Sequence, residues 1–264
     1  MTAVKIRRRI AMIMLAFVMI AVSALPAFAG GVINGWARTG TAETGGKVKW
    51  CYFNAAGQYV TSVSSRTKNK WVNADGKRFY FNKKRMPVGQ GFCLIKKKLY
   101  YFGPDGSLVY GTFYVNGEEI TTTPAGNITG LPYYRYRYKK FVIIDLSDQQ
   151  LEFYKKGVLM RRCPVVTGNP GKGWNTPTGQ FKVRHKSRNT TLRNGKEEAH
   201  VTYWMAFIRN EYGMHDASWR RAKDYRTNRT YRRRGSHGCV NMRKSDAAYL
   251  YRQVRVGTPV IVQD

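Results

Sequence analysis

Between about Gly35 and Gly126 the chain repeats itself on a period too short for any one unit to fold alone, which restricts its architecture severely. Trp71, Phe92 and Phe113 recur at intervals of 21 residues. Aromatic runs accompany them: Trp50-Cys51-Tyr52-Phe53-Asn54 before Gly57, Arg78-Phe79-Tyr80-Phe81-Asn82 before Gly89, and Leu99-Tyr100-Tyr101-Phe102-Gly103 before Gly106 and Gly111. A unit this small cannot bury its own apolar face, so a fixed short period means an array of units leaning on one another. Asp75-Gly76, Asp105-Gly106 and Asn116-Gly117 are two-residue turn signals between strand-like runs. The stretch is therefore expected to form about four short β-hairpins stacked side by side.

The first residues set the compartment. Lys5, Arg7, Arg8 and Arg9 precede an apolar run from Ile10 to Leu25, and Ala27-Phe28-Ala29 follows before Gly30. Charged start, short apolar core and small-residue site are the order of a secretory signal, here residues 1–29. A retained membrane anchor is the competing reading, because the run falls slightly short of the roughly 20 residues a spanning helix needs. Four of the basic side chains and no acid lie in that segment, so the formal net charge of +31 becomes +27 without it. Such an excess predicts attraction to a polyanion. Export makes an anionic cell envelope the expected partner and sets nucleic acid aside. The four cysteines, Cys51, Cys93, Cys163 and Cys239, show no Cys-x-x-Cys spacing. Cys51 and Cys93 occupy comparable aromatic surroundings, as packing residues or as a pair with each other.

Composition changes at residues 128–140, which read as a linker. Phe141 to Leu146, Gln150 to Tyr154 about an Asp148 turn, and Val158 to Val166 follow as strands. Thr167 to Gly173 is a loop, Asn175 to Val183 a turn entering a strand, and Val201 to Ile208 another extended run. Only Ser245 to Val254 has helical spacing, with Ser245 as its N-cap, and Thr258 to Val262 closes with a strand. Residues 141–264 thus predict a mainly β domain of ordinary size.

The chemistry in this second part centres on Gly235-Ser236-His237-Gly238-Cys239-Val240-Asn241-Met242, with Gly213-Met214-His215-Asp216-Ala217 upstream. A thiol near imidazoles is a candidate nucleophile, because the thiolate attacks and a neighbouring imidazole lowers the thiol pKa from about 8.5. A buried inert cysteine and half of a metal site remain alternatives on the residues alone.

These motifs resemble, in their order, the L,D-transpeptidase catalytic domain of bacterial peptidoglycan enzymes. The resemblance runs from about Tyr138 to Asp264 and includes Thr167-Gly168, Thr176-Pro177-Thr178-Gly179-Gln180-Phe181, both histidine-bearing motifs and Gly257 to Val262. It implies a β-sandwich or barrel with one helix on the C-terminal side. It also implies Cys239 as nucleophile and His215 as base, oriented by the backbone around Asp216. His237 and the amides of Gly238 and Cys239 would support the oxyanion, and Ser236 and Asn241 would fix the loop. Tyr203 and Trp204 are candidate substrate contacts. Twenty residues separate His215 from Ser236, a few more than is usual there, and they are rich in arginine. Arg232, Arg233 and Arg234 are read as a lid gripping substrate carboxylates, since guanidinium binds carboxylate bidentately.

The implied reaction is release of terminal D-alanine from a tetrapeptide stem and transfer of the acyl group to an amine, a 3→3 crosslink, with no metal or cofactor. Water or a free D-amino acid as acceptor would make the same site a carboxypeptidase or exchange enzyme. A sortase-like acyltransferase and a catalytically inactive wall-binding protein are the rivals. Residues 30–127 in turn resemble the choline- and glucan-binding repeats of secreted wall-bound bacterial proteins, although Cys51, Phe92 and Phe113 stand where tryptophan is usual. That resemblance implies Trp50, Trp71, Tyr80 and Tyr101 as ligand-contacting aromatics through cation–π contacts or stacking. The same side chains serve equally well as a stacking core. Together these readings place the protein outside a cell, on a wall of Gram-positive type, without stable membrane insertion once the signal is cleaved.

Overall fold

The computed structural model describes residues 34–195 and 197–264, so the expected signal at residues 1–29 lies outside the described residues. Two compact units emerge, one running up to Gly111 and including Pro124–Asn127, the other comprising Thr112–Thr123 and Ile128–Asp264.

In the first unit, β1 (Gly35–Thr39), β2 (Lys49–Phe53) and β3 (Tyr59–Val63) form an antiparallel sheet, followed by the hairpins β4 (Lys70–Ala74)–β5 (Lys77–Phe81) and β6 (Gly91–Ile95)–β7 (Lys98–Phe102). Asp75 and Gly76 close the first hairpin at φ 51° and 67°, the left-handed pair that a tight hairpin turn requires. The β6–β7 turn is made instead by Lys96 and Lys97, at φ 47° and 67°, with no turn residue to announce it. Asp105-Gly106, expected to be a hairpin turn, lies in the loop after β7, where Phe102 bridges to Leu108. Gly106 is needed there because a Cβ would come within 2.9 Å of the Val88 carbonyl.

The period has a packing cause. Trp36 of β1 lies 5.7 and 5.1 Å from Phe79 and Phe81 of β5, and Trp71 of β4 lies 5.1 and 6.0 Å from Tyr100 and Phe102 of β7. The indole at the head of one segment thus buries itself against the aromatic strand of a later hairpin. Such rings contribute most of the apolar area in so small a core.

The second unit opens with the hairpin β8 (Thr112–Val115)–β9 (Glu118–Thr121) and then the helix α1 (Gly130–Arg137). This corrects the linker expectation for residues 128–140. Tyr134 and Tyr138, four residues apart, pack with Phe141 at 6.2 and 6.3 Å and join a satellite cluster with Ile143, Tyr154 and Ile261. Tertiary burial of that face overrides a tyrosine–arginine alternation that reads as extended.

Two sheets follow. β10 (Lys140–Asp145), β11 (Gln150–Lys155), β12 (Val158–Pro164), β13 (Gly179–Lys182) and the final strand, Pro259–Gln263, form one sheet. The other contains β14 (His185–Asn194), β15 (Glu197–Ile208), β16 (Tyr212–Asp216) and β17 (Val240–Met242). The helices α2 (Thr230–Arg234) and α3 (Lys244–Gln253) flank β17, and β18 (Pro259–Gln263) completes the first sheet in the order β12-β11-β10-β18-β13. Val142, Ile144, Leu151, Phe153, Val260 and Val262 meet Met205, Phe207, Met214, Val240 and Met242 in one core, closed by Ala247 and Leu250 of α3. The mainly β sandwich is as expected, but α1 and α2 join the expected helix α3. Strand β14 shows no apolar alternation in the sequence. Its length comes from pairing with β15 along Asn194↔Glu197 to His185↔Ala206. All four cysteines are free thiols.

Candidate active site

Parallel pairing of β16 with β17 assembles the site. The register sets Met214 against Val240, His215 against Asn241 and Asp216 against Met242. Residues two apart on a strand share a face. Cys239, just before β17, therefore lies on the face of Asn241, Gly213 and His215, while Met214, Val240 and Met242 enter the core. Trp204 pairs with His215 in the neighbouring register, its ring 5.8 Å from the imidazole. Cys239 packs against the same small cluster as Trp204. Gly213 makes room for the indole, since a Cβ there would lie 2.5 Å from it. The Cys239 thiol and the His215 imidazole thus share one indole floor.

His215 is 3% exposed, and its Nδ1 lies 2.9 Å from the Asp216 carbonyl oxygen. The Asp216 carboxylate accepts from the backbone amides of Thr202 and Tyr203 at 3.1 and 2.7 Å, so it ties β16 to β15. On the other side of the ring stands Asn241. Arg220 can only donate, so the amide oxygen of Asn241 faces it, accepting from Nε and Nη2 at 2.6 and 3.0 Å. The Asn241 amide nitrogen then donates to His215 Nε2 at 3.2 Å. That orientation is assigned from these partners. It fixes Nδ1 as the protonated nitrogen of a neutral ring.

Burial drives His215 down to about 4 and the Cys239 thiol up to about 11. Both groups therefore rest uncharged near neutral pH. Cys239 keeps some exposed surface, and its Sγ donates weakly to the Glu211 carbonyl at 3.6 Å.

The loop before Cys239 is laced on both sides. Ser236 Oγ donates to the Cys239 carbonyl and accepts from the Gly238 amide at 3.0 Å. Thr176 Oγ1 donates to the Gly238 carbonyl at 2.8 Å and accepts from the Gly168 amide at 3.0 Å. Gly238 sits at φ 115°, where a Cβ would strike the Tyr212 ring at 2.2 Å. The Gly238 amide, one of the two expected oxyanion donors, is thus occupied by Ser236. The loop feeds strand β17 before any helix. A cavity of about 520 Å³ adjoins it, bounded by Thr167, Gly168, Asn175, Thr176 and Tyr231 among others.

His237 packs against Trp174 with ring centroids 3.9 Å apart and the rings tilted by 45°, and its Nε2 lies 3.6 Å from Glu197. Lys172 lies over the Trp174 ring at 4.8 Å. Of the expected substrate contacts, Tyr203 faces the α3 side against Tyr251 at 5.4 Å, away from His215. Trp204 is 2% exposed and forms the floor. Its strand alternation could have revealed that these neighbours point opposite ways. Arg232, Arg233 and Arg234 are exposed; Arg234 is ion-paired to the buried Asp224 and Arg232 Nε donates to Tyr231. Trp174, Thr176 and Arg220 were missed as site residues. Only Thr176 sits in a motif that could have signalled it.

Among the proposed wall-contacting aromatics, Trp50 and Tyr80 are 5% and 8% exposed, as core side chains are. Trp71 carries the Arg78 guanidinium at 4.4 Å over its ring, and Tyr101 packs edge-on to Phe92 at 5.0 Å. Among the described residues, no three His, Cys, Asp or Glu side chains cluster as a metal site.

Residues 139–262 match the YkuD family, described as the L,D-transpeptidase catalytic domain. The catalytic domain of an E. faecium L,D-transpeptidase, solved acylated by ertapenem, is 32% identical over 47% of this chain and 96% of that one, with a TM-score of 0.42. An L,D-transpeptidase from Stackebrandtia nassauensis is 30% identical over 48% of this chain and 56% of that one, with a TM-score of 0.39. No curated protein matches the chain.

Proposed function

The chain belongs to the L,D-transpeptidase catalytic-domain family, and on that premise we propose that Cys239 is acylated by a peptidoglycan tetrapeptide stem and hands the acyl group to an amine. The observation that carries this is the shared face of β16 and β17. Cys239 and the buried His215 imidazole lie on one floor there, with His215 Nδ1 beside a backbone carbonyl, which supports the reading.

The chemistry follows from the resting charges. As the Cys239 sulfur attacks the carbonyl before D-alanine, its proton passes to His215 Nε2, the unprotonated ring nitrogen, as the Asn241 amide gives up its hydrogen bond to that lone pair. Negative charge developing on the carbonyl oxygen is met by the Cys239 amide, with the His237 side as the other wall of the site. Collapse breaks the C–N bond, the Nε2 proton goes to the departing amine, and a thioester remains. An acceptor amine then gives up a proton to Nε2 and attacks the thioester. The new amide forms, and sulfur leaves and recovers the proton.

Arg232 and Arg233, exposed on α2, are assigned to the stem carboxylates. The protein acts as an exported, wall-associated enzyme, and its basic hairpin unit contacts anionic wall polymers. Arg78 over Trp71 supports this over capture of a quaternary ammonium, because the ring already holds a cation of the chain itself.

Ertapenem provides a direct test, since a relative is acylated by it. Intact-mass analysis is expected to show one ertapenem adduct on the wild type and none on Cys239→Ala. Muropeptide digests are expected to lose 3→3 dimers in the same variant. An adduct or dimers retained by purified Cys239→Ala would refute Cys239 as nucleophile.

A further inference from the structure

Arg220 lies within the arginine-rich connection between His215 and Ser236, yet it does not behave like its exposed neighbours. It is half-buried, and burial draws its pKa down. Three of its nitrogens are engaged: Nη1 donates to the Arg234 carbonyl at 2.8 Å, while Nε and Nη2 both reach the Asn241 amide oxygen. A desolvated guanidinium costs stability unless its donors are met. Here it spends two of them on a single side chain of the site.

We propose that Arg220 is a positioning residue that acts through Asn241 to hold His215 with its proton on Nδ1 and its lone pair on Nε2. This deepens, and rests on, the assignment of His215 as base. The two ends of an asparagine amide are nearly alike in shape, so hydrogen-bond partners alone decide which way it points. The Asn241 backbone is pinned, its amide and carbonyl pairing with Val166 at 2.9 and 3.0 Å, and its side chain is buried. With Arg220 in place the oxygen must face the guanidinium and the NH₂ must face Nε2. Without it the amide is free to turn, and an oxygen toward Nε2 stabilises the opposite tautomer. That tautomer puts the lone pair against the Asp216 carbonyl oxygen, on the wrong side of the ring for Cys239.

The guanidinium also disfavours the imidazolium directly. The Asp216 carbonyl oxygen, 2.9 Å from Nδ1, favours the same tautomer from the other side of the ring, and Arg220 adds to it by holding the amide at Nε2. The Asp216 carboxylate is taken by backbone amides, Cys239 is uncharged, and Trp204 and Trp219 present rings at 5.8 and 5.9 Å. Around Arg220, Asp224 and Tyr225 favour its charge and Arg234 opposes it.

Imidazole ¹⁵N NMR at pH 7.5 on the described protein tests this without any need for turnover. The wild type is expected to show His215 Nδ1 protonated and Nε2 bare. In Arg220→Met the two signals are expected to move toward a tautomer mixture. Ertapenem acylation should slow about 10- to 100-fold at saturation with little change in half-saturating concentration. The acid limb of its pH profile should rise by about one unit, because a cation that lowers the base has gone. Arg220→Lys, which keeps the charge and a donor toward Asn241, is expected to retain the wild-type tautomer and most of the rate.

A folded Arg220→Met with wild-type ¹⁵N shifts and an unmoved acid limb would overturn the proposal. So would a lysine variant with the wild-type tautomer but the full loss of rate. If the methionine variant does not fold, Arg220→Gln is read by the same two outcomes. Failure of ertapenem to acylate the wild type would instead count against the reading of the site as an enzyme, and would leave the tautomer result standing.

Discussion

Alkylation of Cys239 measures the resting state of the site. With the thiol pushed up to about 11 and His215 down to about 4, both by burial, the pair rests as thiol and neutral imidazole. At pH 7.5 a pKa near 11 leaves roughly 3 thiolates in 10,000, against about 1 in 11 for an ordinary cysteine near 8.5, a deficit of about 300-fold. The more basic thiolate is intrinsically faster. A Brønsted slope of about 0.4–0.5 over 2.5 units returns roughly a factor of 10 to 18. Iodoacetamide should therefore label Cys239 about 15- to 30-fold more slowly than free cysteine at pH 7.5. The rate should climb tenfold per pH unit until about pH 10. Labelling is followed peptide by peptide in a mass spectrometer, so that Cys51, Cys93 and Cys163 are read separately. A rate that levels off between pH 5 and 8, or labelling faster than free cysteine at pH 7.5, would mean a thiolate–imidazolium pair and refute the reasoning. The same result would require His215 to be protonated at rest, against the tautomer that Asn241 enforces.

Three further outcomes are expected. A buried imidazole held below its unfolded pKa contributes stability above that pKa, which is lost as pH falls through the folded value. Between about pH 6.5 and 4 the protein should thus lose about 3 kcal/mol through His215, and His215→Gln should flatten that part of a urea-denaturation pH series. Gly213→Ala forces a methyl to within 2.5 Å of the Trp204 ring and 2.9 Å of the Met205 carbonyl. It should cost about 1–3 kcal/mol, read in thermal unfolding, and slow acylation by displacing the indole floor. Asp224→Asn removes the buried anion that holds Arg234 and caps the Arg221 amide at 3.0 Å. Limited proteolysis within residues 217–235 should accelerate while ¹⁵N signals from the β10–β11 hairpin stay in place, and equal cutting rates would show that the ion pair does not hold the segment.

The sequence by itself determined the parts whose cause is local. Paired left-handed turn residues placed the hairpin at Asp75-Gly76, and short apolar runs placed β10, β11, β15 and β18. The motifs around His215 and Cys239 marked these two residues as the candidate nucleophile and base through their resemblance to the L,D-transpeptidase catalytic domain. Other features depend on contacts between residues distant in the chain, and no local pattern encodes those. Lys96-Lys97 closes a hairpin because the flanking strands pair, and β14 exists as the partner of β15. Gly130–Arg137 is helical where Tyr134 finds Phe141 and Tyr154 to bury against. The charge run between His215 and Ser236 showed the same limit most clearly. Its composition announced a basic surface, but which arginine would be drawn inward was decided by the tertiary structure, where β16 and β17 pair in parallel and set the oxygen of Asn241 within reach of Arg220. A guanidinium binds wherever an acceptor is presented to it at the right distance, and that distance is a property of the fold.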